Sequence, residues 1–408
     1  MPTVQRADGW QVPTVDATVE RMSGWTLLGL SIALLFATVG AFRPRLFGAL
    51  RTEINFAGML LVLLLPWSIV LGLGVVGVFA WEGATATRAG QIAIALHVAA
   101  WAALIAYARA MSHARPLLDG DPIADGEPLF EQPAPSGGAP SWAGAFTMRT
   151  SAMDRVTIER GVVYRTVAGR RLRIDVYRPR GETARLPSLV YFHGGGWLFG
   201  TRRQSPFLMS ELAASGATVF AVGYRLAPRV RLHEIVEDCR AAVAWVRAHA
   251  GDYGGRTDRV LTIGGSAGGH LAALLALDGQ QPIDGAVILY GVLDLVSPFG
   301  ARPHPGLARL LQWVVGARFR EAPEKFRALS PAHHASAAAP PMLLVHGTRD
   351  HVAPTEESRV LAARLRELGA ARVHLCEVPW GQHGFEVFPS PLHDRAARVI
   401  VAFVASLS

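Results

Sequence analysis

The sequence predicts an α/β fold, a mostly parallel sheet of eight strands covered by helices, preceded by an α-helical membrane-spanning region. Three observations carry this prediction. Short apolar runs alternate with amphipathic helical stretches from about residue 156 onward, glycine-rich turns follow several of those runs, and three long uncharged apolar segments lie before residue 110.

The N-terminal region, 1–115, begins with a polar lead-in of 24 residues. Trp25–Phe42 then carries no charge over 18 residues, Phe56–Trp81 none over 26 despite Pro66, and Ile92–Ala108 is interrupted only by His97. About 20 apolar residues cross a bilayer as a helix, so spans are expected near 25–42, 56–81 and 91–108. A cleaved signal peptide fits poorly, because the lead-in is long and has no clear positive segment. Arg43, Arg45 and Arg51 follow the first apolar segment, and Arg109 and Arg115 follow the third. This bias places the first loop and everything after residue 110 on the cytoplasmic side.

Residues 116–155 read as a linker, with Pro116, Pro122, Pro128, Pro133, Pro135 and Pro140 among glycines and acids, resting on the next domain through Leu129 and Phe130. The domain at 156–408 carries strand candidates Val162–Val167, Leu172–Tyr177, Ser188–Phe192, Thr218–Val222, Arg259–Ile263, Ala286–Tyr290, Met342–Val345 and Arg372–Val378. Helices are expected at Pro206–Ala214, Glu234–Ala250, Ala267–Leu277, Gly306–Gly316, Thr355–Leu368 and Leu392–Ala405. No helix separates the first two strands, so they should pair as a hairpin; the others alternate with helices and should run parallel.

The formal charge of +8 comes almost wholly from arginine, Lys325 being the only lysine. The arginines are scattered rather than clustered, which argues against nucleic-acid binding and suits a protein beside an anionic bilayer. Cys239 and Cys376 lie far apart without metal-type spacing and read as buried thiols rather than a disulfide, a bridge between them being the alternative. No cofactor or metal is implied. A phosphate-binding loop is excluded, since no Gly-Lys-Ser/Thr follows the glycine runs.

Catalytic groups in a parallel sheet belong at the carboxyl ends of strands. Ser266 sits there, in Gly264-Gly265-Ser266-Ala267-Gly268, after Arg259–Ile263 and before a helix. A serine hydroxyl is a poor nucleophile unless a base lies within hydrogen-bond reach, and on this architecture the chain order is serine, acid, histidine. Asp350 follows the strand Met342–Val345 and His383 follows Arg372–Val378, so they are the expected acid and base. Asp294 is the rival acid; His346, His351, His374 and His393 are the rival bases. Phe192-His193-Gly194-Gly195-Gly196-Trp197 supplies a glycine run after another strand. The amides of Gly194, Gly195 and Ala267 are the expected oxyanion hole, with His193 holding the loop. Trp197, Phe199 and Phe207 beside the run, and Trp313 in the long connection 297–341, are candidate pocket walls. That connection is either a cap over the site or an insertion packed only on the core.

His-Gly-Gly-Gly-Trp at 193–197, Tyr-Arg-Leu-Ala-Pro at 224–228, Glu-Asp-Cys at 237–239, Gly-Gly-Ser-Ala-Gly-Gly at 264–269, His-Gly-Thr-Arg-Asp at 346–350 and His-Gly-Phe at 383–385 stand in one order. This set resembles the hormone-sensitive-lipase-like branch of the α/β-hydrolases over about residues 160–405, and the attached apolar segments resemble membrane-associated actinobacterial carboxylesterases. The resemblance implies an α/β-hydrolase fold with a helical cap. It also implies Ser266, Asp350 and His383 as triad, and Gly194, Gly195 and Ala267 as oxyanion hole. The activity it implies is hydrolysis of small-molecule or lipid carboxylic esters at a bacterial plasma membrane. A deacetylase or peptidase on the same triad, or a catalytically silent binding module, are the alternatives. The acidic segment of the family carries more acids than His-Gly-Thr-Arg-Asp, so Asp350 rests mainly on its place after a strand.

Overall fold

Strands that are apolar at successive positions need cover on both faces of their sheet. The computed structural model has such strands at its centre, each buried at every position. It describes residues 3–5, 11–13, 17–42, 51–113, 117–119, 142–181, 184–296 and 305–408. They form two compact units, Met1–Ala110 and Met111–Ser408.

In the first unit a two-stranded ribbon (β1, Thr3–Gln5; β2, Gln11–Pro13) precedes α1 (Ala17–Phe42), α2 (Arg51–Leu63), α3 (Leu65–Trp81) and α4 (Arg88–His113). Helices α1 and α4, each of 26 residues, are long and apolar enough to cross a membrane. The apolar stretch 56–81, expected as one span, is instead two helices that meet at 104°. Pro66, at the start of α3, has no N–H to donate and its ring clashes with the carbonyl of a preceding turn, so the helix cannot run straight through. Small and polar residues face inward along α1, among them Gly24, Ser31, Ala37 and Ala41, and Ser31 Oγ lies 2.6 Å from His97 Nδ1 on α4. Arg43 and Arg45 lie outside the described residues.

The second unit holds a nine-stranded sheet in the order β3-β11-β10-β9-β8-β6-β7-β5-β4. Its strands are β3 (Leu117–Asp119), β4 (Val156–Val167), β5 (Arg170–Pro179), β6 (Ser188–Phe192), β7 (Thr218–Gly223), β8 (Val260–Gly265), β9 (Ala286–Leu289), β10 (Met342–Gly347) and β11 (Val373–Val378). β6 to β11 are parallel, while β4 and β5 form the expected hairpin and β5 runs antiparallel to β7. Two differences from the sequence expectation stand out. The sheet has nine strands rather than eight, because Leu117–Asp119, inside the expected linker, pairs antiparallel with β11. Three residues amid prolines carry no period, and only the free edge of β11 makes them a strand. β4 also starts at Val156 rather than Val162, across a register shift at Gly161 (φ 78°) that breaks its alternation. Leu129 and Phe130 of the linker, and 297–304 of the expected cap, lie outside the described residues.

Seven further helices are placed around this sheet after α5 (Ala143–Thr147): α6 (Pro206–Ala214), α7 (Leu232–His249), α8 (Ala267–Leu277), α9 (Pro305–Val315), α10 (Pro323–Ala328), α11 (Glu356–Glu367) and α12 (Pro391–Ala405). α8 is buried at every residue, so it is the central helix of the core. Cys239 and Cys376 are buried free thiols.

Glu211 on α6 is 3 % exposed, and burial raises its carboxyl from 4.5 to about 7. A group that binds its proton more tightly when folded favours the fold at low pH, and that contribution is lost as pH rises through about 7. Glu211→Gln should therefore raise the melting temperature at pH 8 and change it little at pH 5, as scanning calorimetry across pH would record.

Candidate active site

Ser266 lies at the turn from β8 into α8, with φ 57° and ψ −121°. A non-glycine residue there costs of order 1–3 kcal/mol, so the surroundings must hold it. Ser266 N donates to the Leu289 carbonyl and His270 N donates to the Ser266 carbonyl, each at 2.9 Å. A Cβ on Gly268 would fall on the carbonyl oxygens of Phe192 and His193, so this position admits only glycine. The amide end of α8 is thereby pressed against the end of β6.

His383 joins Ser266 to Asp350. Its Nε2 lies 2.9 Å from Ser266 Oγ, and its Nδ1 lies 2.7 Å from Asp350 Oδ2. The carboxylate accepts a hydrogen bond from Nδ1–H, which leaves the Nε2 lone pair facing the serine hydroxyl. Asp350 Oδ1 accepts from the amides of Val352 (2.8 Å) and Ala353 (2.9 Å). Burial alone would raise this carboxyl, but the charge of His383, its hydrogen bond and the approach of His346 at 3.5 Å outweigh it and hold it below the usual range. Of the rival histidines, His346 lies beside Asp350, its Nε2 3.5 Å from Oδ2; that Nε2 donates to the Ala353 carbonyl at 2.7 Å and its Nδ1 accepts from Ser358 Oγ at 2.8 Å. His351 Nδ1 lies against the Arg349 carbonyl, His393 Nδ1 against the Glu386 carbonyl, and His374 packs on Phe403. Asp294 accepts from the Val296 amide and faces His333.

The glycine run passes beside the serine: a Cβ on Gly194 would stand 3.4 Å from Ser266 Cβ. The amides of Gly194, Gly195 and Ala267 have no hydrogen-bond acceptor among the described residues. The sequence motifs explain what holds this loop. Tyr224 Oη donates to the His193 carbonyl at 2.5 Å, and the two rings stack at 4.1 Å. Burial lowers His193 to about 4, so its imidazole is neutral and Nδ1 donates to the Gly194 carbonyl at 2.8 Å. Next to Tyr224, Arg225 forms a bidentate pair with the fully buried Asp238, at 2.7 and 3.0 Å, which fastens the segment to α7. Sequence reasoning listed both motifs without seeing that they are partners, since 13 residues and a turn separate them.

The pocket candidates divide. Phe199 (67 % exposed) and Trp313 (49 % exposed) present surface, and Leu310 of α9 approaches Gly196. Trp197 does not: it is 1 % exposed and stands edge-on to His270, so it supports the loop from beneath and offers no face to a ligand. Phe207 is likewise buried on α6, against His393. Within the expected cap, Leu311, Val314, Val315 and Phe326 join the main core. Sequence reasoning also missed Tyr290 and Glu386, which pack behind His383; the only signals were an aromatic at the carboxyl end of β9 and an acid three residues past the base.

Comparison with known proteins places this geometry in context. Residues 174–365 match the BD-FAE family model. Two Mycobacterium tuberculosis proteins, the probable carboxylic ester hydrolase LipM and the esterase LipQ, are each 34 % identical, over 255 and 253 residues. The matches cover 59 % and 58 % of this chain, and the chain spans 59 % of the length of each relative. A butyrate-bound esterase from the planctomycete Thermogutta terrifontis is similar at 28 % identity with a TM-score of 0.51, over 62 % of this chain and 92 % of that one.

Asp238→Ala would leave the guanidinium of Arg225 buried without its partner, and should cost about 3 kcal/mol of stability in urea unfolding. Replacing both residues with apolar ones of similar size should restore much of it, because the buried guanidinium is removed with its carboxylate and Arg165, which also pairs with Asp238, is about one-third exposed and can turn to water.

Proposed function

We propose that this chain is a membrane-anchored serine carboxylesterase whose C-terminal domain belongs to the hormone-sensitive-lipase-like α/β-hydrolases. The observation that carries the reading is the pair of hydrogen-bond distances at His383, 2.9 Å to Ser266 and 2.7 Å to Asp350. In this reading Ser266 Oγ attacks the ester carbonyl while His383 Nε2 takes its proton. Negative charge then develops on the carbonyl oxygen, and the amides of Gly194, Gly195 and Ala267 receive it. His383 returns the proton to the departing alcohol, leaving an acyl group on Ser266. Water, activated by the same imidazole, releases the acid. Asp350 keeps the imidazole in the correct tautomer and stabilises its charged form throughout.

The substrate in this reading is an ester of a short- to medium-chain acid, or a lipid ester. Butyrate in the similar Thermogutta terrifontis esterase supports the short acyl end. Two helices apolar enough to cross a bilayer support membrane association. The arginines at 43, 45, 51, 109 and 115 favour a cytoplasmic catalytic domain beneath a bacterial plasma membrane. A reporter fused at the C-terminus reads the side directly, and an external signal would reverse that assignment.

Ser266→Ala should abolish hydrolysis of p-nitrophenyl butyrate and labelling by an organophosphonate; retained turnover would refute the nucleophile. Asp350→Asn should fold and bind substrate but lose about 10⁴ in kcat, because the imidazole is left in the wrong tautomer. A p-nitrophenyl ester series of increasing acyl length should peak at four to eight carbons, on the order of what an acyl pocket of ordinary volume holds.

A further inference from the structure

Behind the base lies a second hydrogen-bonded group that the acyl transfer above does not use. Tyr290 follows β9, and its ring lies 4.6 Å from the His383 imidazole. Its hydroxyl is 2.5 Å from both carboxylate oxygens of Glu386. The same hydroxyl would stand 2.7 Å from a Cβ on Gly265, the residue before the serine. One side chain therefore touches the base through its ring and the nucleophile's turn through its oxygen. Glu386 is fully buried, and its own carbonyl faces His393 Nδ1 at 2.5 Å. An apolar residue would fill this site at lower desolvation cost, so a carboxyl here calls for a reason other than packing.

We propose that Tyr290 and Glu386 are positioning residues for His383: the tyrosine ring seats the imidazole, and the Glu386 carboxylate, held by the tyrosine hydroxyl, supplies a second negative charge that favours the imidazolium as it forms. This rests on the reading of Ser266 and His383 as nucleophile and base. The groups facing His383 are Asp350 from the loop after β10, Tyr290 from β9 and Ser266 from the β8–α8 turn. Those acting on Glu386 are Tyr290 and His383, with Tyr191 of β6 feeling its charge. Burial raises the Glu386 carboxyl to about 7, against the opposing pull of the Tyr290 hydrogen bond and of His383. Its charge therefore varies across the neutral range, where it can be read out.

The test is the pH dependence of organophosphonate labelling of Ser266 in the full-length protein, followed by intact mass. Glu386→Gln keeps the hydrogen-bond acceptor and removes the charge. Tyr290→Phe keeps the ring and removes the hydroxyl, so that Glu386 holds its proton to higher pH. Both variants should shift the acid limb to lower pH by about half a unit and lower the plateau rate about three- to tenfold. The shift is the deciding readout, since a merely structural residue would lower the rate without moving the limb. Should either single variant fail to fold, Tyr290→Phe/Glu386→Met leaves no buried group unpaired and should show the same shift. An acid limb that stays in place in the folded variants overturns the proposal. Absence of labelling in the unaltered protein would instead overturn the assignment of Ser266 as nucleophile, so the two failures are distinguishable.

Discussion

The backbone of Ser266, held at positive φ between β8 and α8, is the constraint on which the rest of the site depends. That conformation places the hydroxyl at the strand's end, where the first turn of α8 begins. It survives only because the turn is gripped on both sides. The Leu289 carbonyl of β9 takes the serine amide, and the backbone at Phe192 and His193 closes on Gly268. Three neighbouring strands thus fix one side chain. The close approach that excludes a Cβ at Gly268 also brings the glycine run beside Ser266, so strain at the serine and placement of the loop amides share one cause.

Around this turn, buried carboxylates do most of the positioning, and they differ in how well their charge is satisfied. Asp350 has two amides and a histidine; Asp238 has the bidentate Arg225 and a further contact from Arg165. Asp175 on β5 receives the Gly161 amide and Arg202, which ties the loop after the glycine run to the hairpin. Each of these carboxylates accepts from at least two donors, one or more of them a backbone amide or an arginine. Glu386 has a tyrosine hydroxyl alone among the described side chains, and burial pushes its carboxyl up to about 7. The same chemistry, supplied with fewer donors, becomes a group whose charge can change.

What was legible in the sequence followed from local rules. Runs such as Leu-Val-Tyr-Phe at 189–192 and Leu-Leu-Val at 343–345 announce buried strands, and glycines after them announce turns at strand ends. Chain order then pointed to Ser266, Asp350 and His383, and in the structure His383 lies within hydrogen-bond distance of each of the other two. Features set by distant partners were not legible. Trp197 beside the glycine run looked like pocket wall, yet it turns inward onto His270. Leu117–Asp119 has no strand signal and acquires its conformation from the edge of β11. The stretch 56–81 has the composition of one span, and hydropathy is blind to the direction change at Pro66.

The sequence by itself determined the class of fold, the apolar character of the N-terminal region, and which residues stand at the carboxyl ends of strands, because periodicity and turn chemistry act between near neighbours. Tertiary structure alone decided that Tyr224 clamps His193, that Arg225 finds Asp238, that His346 backs Asp350 and that Tyr290 with Glu386 lies behind His383. The physical reason is that these pairings join groups separated along the chain by a turn or by whole elements. Their energies depend on burial and on the direction of a side chain, and neither exists until the sheet has assembled around the turn at Ser266.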